Sequence, residues 1–194
     1  MGTITRSLAN NITTGGVILP SGINNTSISN VTSLPSGVGG KVLQVVAQEY
    51  DTENSITGST FTDSGLTLNI TPSSSSNKVF VQFNLCLSGN DNAYIACKIF
   101  RGATEIGSTT NTGTGQECFA GITISNGDNS SYGSQPWTLQ FLDSPNTTSS
   151  TTYKLQLSPM RTSSNTLYLN RSNNLGDDNQ FRTSSGMTLM EIAG

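Results

Sequence analysis

Twelve carboxylates, three cysteines and no histidine limit the chemistry open to this chain. Without His there is no Ser-His-Asp or Cys-His nucleophile, no His-ligated zinc and no imidazole pH switch. The carboxylates are scattered, and no pair is spaced to serve as acid and base on one element. The densest acidic cluster, Asp177-Asp178-Asn179, lacks the alternating acidic spacing and distant glutamate of an EF-hand loop, so it reads as a solvated turn. Asn126-Gly127-Asp128-Asn129 is likewise a turn sequence, with Asn-Gly suited to positive φ. Cys86, Cys97 and Cys118 are odd in number and lack C-x-x-C spacing. They read as reduced thiols, the alternative being one disulfide and a free thiol. The expectation is a non-enzyme with no catalytic residue, no metal site and no cofactor.

Aromatic residues are the remaining candidates for recognition. Trp137 is in phase with Leu139 and Phe141, which places it in a core. Phe80, Tyr94, Phe100 and Tyr168 are out of phase with the aliphatic residues of their strands, as are Ala96, Met190 and Ile192. In an antiparallel sandwich such positions face water. Phe80, Tyr94, Phe100, Tyr168 and Ile192 are therefore candidates for a subunit interface, weighed against ordinary surface scatter.

The elements that must carry these residues are strands. Ser, Thr, Asn and Gly fill nearly half of the 194 residues, charged residues only 11%, and the net charge is −3. That balance offers no basic footprint for nucleic acid. No apolar run reaches the length of a membrane span, and MGTITRSLANNITTGG has no signal-like apolar region, so neither secretion by that route nor membrane insertion is expected. From residue 41 the apolar period is two. Leu43, Val45 and Ala47 share one face over residues 41–50, and Leu66, Leu68 and Ile70 alternate next. Val79, Val81, Phe83, Leu85 and Leu87 form the clearest run, followed by Ala93, Ile95, Cys97 and Ile99. Residues 100–106 read as a hairpin turn and return. Cys118 to Ile124, Trp137 to Phe141, Tyr153 to Leu157, Leu167 to Leu169 and the stretch from Met187 complete nine or ten short strands. Turn-rich Ser/Thr/Asn segments at 71–77 and 144–150 separate them, which is the pattern of a β-sandwich. The predicted core is Val81, Phe83, Leu85, Ile95, Trp137, Phe141 and Leu155.

Residues 1–40 differ from the rest. They hold aliphatic residues spaced singly or in one short run, Val17-Ile18-Leu19, and no aromatic one. Leu-Pro-Ser-Gly occurs at 19–22 and again at 34–37, and Gly-Val-Gly-Gly at 37–40 reads as a hinge. So few aliphatic side chains cannot offset the backbone entropy of ordering such a segment. The expected division is a docking arm over 1–40 and a sandwich over 41–194. Ile4, Leu8, Ile12, Ile18, Ile23, Ile28, Val31 and Leu34 are the candidate partner-binding residues, each entering a separate pocket while the backbone pairs with a neighbour's sheet edge.

Several segments carry a family likeness. GKVLQVV (40–46), ITPSSSSNKVFVQF (70–83), RGATEIGS (101–108), SPNTTSSTTYKLQL (144–157) and MTLMEIAG (187–194) together resemble virion structural proteins of tailed bacteriophages, of the marine and cyanobacterial type. INNTSISNVTSLPSGVGG (23–40) is similar to the attachment segment that precedes their β-rich modules. The resemblance implies a jelly-roll-like β-sandwich, a homotrimer, and tethering through the N-terminus, and it supplies no catalytic residues. The expected role is a capsid decoration (cement) protein on the virion exterior, assembled in the host cytoplasm and clamping the major capsid protein through its arms. The alternative is a tail-fibre or fibre-tip protein, held by tail proteins and facing a host surface glycan. A short chain without a shaft of repeats favours decoration. A carbohydrate-active enzyme is disfavoured by the missing carboxylate pair, and a monomeric sugar-binding module by the arm.

Overall fold

The computed structural model describes residues 41–90, 93–110, 113–124, 133–160, 164–176 and 181–194. The arm, the turn at 126–129 and the acidic cluster at 177–179 lie outside the described residues. Period-two alternation becomes eleven strands, and no helix occurs among the described residues. They are β1 (Val42–Tyr50), β2 (Asn54–Thr57), β3 (Thr62–Ile70), β4 (Lys78–Gly89), β5 (Ala93–Arg101) and β6 (Thr104–Ile106). After these come β7 (Ala120–Ile124), β8 (Gln135–Asp143), β9 (Thr151–Met160), β10 (Thr166–Leu169) and β11 (Ser185–Ile192). Short β2 carries only one in-phase apolar residue, Ile56, which is too little signal for the sequence pattern to show.

Two antiparallel sheets form the sandwich. The six-stranded sheet runs β1-β11-β4-β10-β2, with β8 on the other edge of β4. The five-stranded sheet runs β3-β9-β5-β6, with β7 also on β5. The chain passes repeatedly from one sheet to the other, which gives a jelly-roll-like order.

The inner faces supply the core: Val79, Val81, Phe83, Leu85 and Leu87 of β4 meet Ile95, Cys97 and Ile99 of β5 and Tyr153, Leu155 and Leu157 of β9. Val81, Phe83, Leu85, Ile95 and Leu155 are buried as expected. Trp137 and Phe141 point inward but are only half-buried. Their strand, β8, pairs with β4 alone among the described residues, so it forms an edge that solvent reaches.

On β1, the face chosen by sequence is the outer one. Leu43, Val45 and Ala47 are exposed, whereas Val46 and Tyr50 pack on the core. A β-bulge between Val42 and Gln44 shifts the register against β11 and leaves both Val42 and Leu43 outside.

A second irregularity locks β3. Its register against β9 shifts between Asp63 and Thr67, and Gly65 there has φ +87°. The Gly65 N–H donates to Asp63 Oδ1 at 2.9 Å, while the Ser64 hydroxyl donates to the Leu155 carbonyl at 2.8 Å. The Tyr50 phenol occupies the space a Cβ would need. Gly65→Ala therefore meets both backbone strain and Tyr50, and is expected to cost about 2 kcal/mol in urea unfolding. A loss below about 0.5 kcal/mol would show that the turn relaxes freely.

Candidate interaction surface

The outer face of the six-stranded sheet carries an apolar row across four strands. Val45 of β1 is paired with Met190 of β11, Met190 with Phe80 of β4, and Phe80 with Leu142 of β8. Directly opposed side chains in an antiparallel pair stand close enough to pack, so the four form one continuous ridge. Val45 is 56% exposed and Leu142 49%, at the two ends, while Phe80 and Met190 between them are half-buried. Val42, Leu43 and Ile192 extend the patch on one side. On the other side the next row is Ala47, Thr188, Gln82 and Gln140, which carries no charge. Lys78 stands opposite Ile192 at the margin of the patch, and Glu49 lies one row beyond Ala47.

This clustering is not scatter. Of the six exposed large hydrophobic residues among those described, Val42, Leu43, Val45 and Leu142 lie on this face, leaving Tyr94 and Phe181 elsewhere. Exposed apolar residues concentrated in one patch mark a surface built to be covered.

The sequence-predicted interface residues divide between two faces. Phe80 and Ile192 belong to the patch. Tyr168 is on the same sheet but on β10, where the Arg171 guanidinium lies 4.9 Å from its ring centre. Tyr94 and Phe100 are on β5, outside the other sheet. Phe100 is flanked by the Lys154 ammonium at 5.7 Å, and Tyr94 borders a shallow groove with Met160, Ile122 and Cys118. Ala96, expected outside, is buried there. Val42, Leu43, Val45 and Leu142 were missed, and the signal for them was apolar residues on both faces of β1 and β8. The arm positions Ile4, Leu8, Ile12, Ile18, Ile23, Ile28, Val31 and Leu34 lie outside the described residues.

Two buried carboxylates, both level with Val79 of β4, hold the sandwich at one end. Glu191 is inward on β11 and buried. It accepts the Ser73 N–H at 2.6 Å, the Ser73 hydroxyl at 2.7 Å, Asn77 Nδ2 at 2.6 Å and Gln44 Nε2 at 2.6 Å. Burial works against its charge, but the bonds from Ser73, Asn77 and Gln44 outweigh that and hold the carboxyl at about 2. Asp143, at the end of β8, takes a two-point contact from Arg101 Nη1 at 2.9 Å and the Tyr153 phenol at 2.6 Å. Burial, then the bond to Asp143, raises the Tyr153 phenol well above its usual range. These contacts tie β5 and β9 to β8 across the sandwich.

The cysteines are free. Burial pushes the Cys97 thiol up to about 12, so it stays protonated and unreactive. Among the described residues no group of three or more Cys, Asp or Glu could hold a metal ion. No helix among them is long and apolar enough to cross a membrane.

No protein-family model matches the chain, and no curated protein matches it. Among solved structures it is similar to a chain from the work titled "Bacillus endospore appendages form a novel family of disulfide-linked pili". The identity is 12% and the TM-score 0.31, over 84% of this chain and 100% of that one.

Proposed function

We propose that the chain is a non-enzymatic structural protein of a tailed-phage virion: a homotrimeric capsid decoration protein whose sandwich, residues 41–194, is fastened through the arm, residues 1–40. The observation that carries this reading is the apolar row Val45–Met190–Phe80–Leu142, a face made for covering on a scaffold whose buried carboxylates are occupied in holding strands together. The sequence likeness supplies the virion setting. The partners are sister subunits and the major capsid protein on the virion exterior, with no role for nucleic acid, membrane insertion or a cofactor.

The experiment is a chain beginning at Lys41. It keeps the whole compact unit Lys41–Gly194, so it is expected to fold and to self-associate as the full chain does. It is expected to fail to bind virions stripped of this protein, whereas the full chain rebinds. Equal binding by both would place attachment in the sandwich.

One observation favours the tail-fibre reading. A cleft of about 340 Å³ beside Arg101 is lined by Thr147, Ser149, Ser150, Thr151 and Thr152, a set of hydroxyls suited to a host surface glycan. Copy number separates the two readings. A number matching the capsomers of the shell means decoration, and a few copies per particle means tail.

A further inference from the structure

We propose that the apolar face of the six-stranded sheet is the contact between copies of this chain, with β1 of one copy beside β8 of the next. This deepens the homotrimer reading and rests on it, while the docking role of the arm does not enter.

Three features point to the same chain as occupant. The first is strand direction. β1 is antiparallel to β11, β11 to β4 and β4 to β8, so the two edge strands run in opposite senses. Among the described residues each pairs on one side only. A rotation about an axis parallel to the strands brings β8 of one copy beside β1 of the next in the antiparallel sense, and such head-to-tail contacts close into a ring. The second is height along that axis. Cyclic symmetry permits no translation, so residues level with each other on the two edges must meet. Val45 and Leu142 are level, because they are the two ends of one register row. The third is exposure. Those two ends are the most exposed members of the row, at 56% and 49%, and the ring covers both. A two-fold pairing of β1 with β1 would leave Leu142 in water. A face with no charge in its central rows is also suited to burial against its own kind.

The test uses the full chain and reads mass by sedimentation. The wild-type chain is expected to sediment as a closed oligomer of 20.4 kDa subunits. Val45→Lys and Leu142→Glu, at half-exposed sites that tolerate polar side chains, are each expected to move the association midpoint to roughly tenfold higher concentration or more. The double variant Val45→Lys/Leu142→Glu is expected to regain the oligomer, since the two new charges meet only across the proposed contact. Phe181→Glu, equally exposed but off this face, is expected to keep the wild-type mass. A Leu142→Glu chain that still associates while Val45→Lys does not would overturn the ring in favour of β1–β1 pairing. Single variants that both stay associated would put the contact elsewhere, and a wild-type monomer would end the oligomer reading as well. Loss of virion binding on arm truncation, or its absence, leaves this result untouched.

Discussion

Phe83→Ala is expected to lower the unfolding free energy by about 3–5 kcal/mol, with Gln82→Ala within about 0.5. The two residues are neighbours on β4 and face opposite ways. Phe83 is fully buried, with Met187 of β11 and Leu139 of β8 opposite it in register and the five-stranded sheet beneath. Truncating it removes most of an aromatic side chain from a site walled by two sheets, where the backbone cannot collapse to fill the space. Gln82 points outward between Thr188 and Gln140 and loses little. Urea unfolding of both variants measures the contrast. Equal, small losses at both positions would mean that the strand faces are misassigned.

That contrast rests on a pattern the sequence shows plainly, and the pattern was legible where one face was apolar and the other polar. On β4 the inward series runs without interruption from Val79 to Leu87, so the phase could be read. On β1 it could not. Val42, Leu43, Val45, Val46, Ala47 and Tyr50 give apolar residues to both faces, and the fuller set, Leu43, Val45 and Ala47, is outside. The inward set mixes Val46 and Tyr50 with two glutamines, of which Gln44 serves Glu191 and the Thr71 carbonyl. An edge strand that is apolar on its outer face misleads a reading that equates apolar with inward. The interface candidates Phe80 and Ile192 were found because their own strands kept a clear phase. The row joining them to Val45 and Leu142 depends on strand order, which local spacing does not carry. The same holds for Glu191, whose donors stand 114 to 147 positions away in the chain. The serine run at 73–76 read only as a loop, although Ser73 turns out to be a donor to that carboxylate.

Replacing Glu191 is therefore expected to have an effect comparable to opening the core. Glu191→Ala leaves the Ser73 N–H and hydroxyl, Asn77 Nδ2 and Gln44 Nε2 without their shared acceptor beneath the 71–77 loop. Asn77 is buried while Ser73 and Gln44 are only partly shielded, and a buried donor left without its acceptor costs about 1–3 kcal/mol, so a total of about 3 kcal/mol is expected at neutral pH. The carboxyl ionises at about 2 in the folded chain against an ordinary 4.5. A lowered folded value means that the unfolded chain takes up a proton first as acid is added. Its stabilisation is then complete above about 4.5 and drains away as the pH falls toward 2. The wild-type advantage over Glu191→Gln, which keeps the shape but cannot titrate, is expected to shrink by about 2 kcal/mol between pH 7 and pH 3. Other carboxylates are common to both chains and cancel in the difference. Urea melts of the pair at those two pH values decide the matter: an advantage unchanged by acid would mean that Glu191 is protonated or hydrated in the folded chain, and that the 71–77 loop is held by something else.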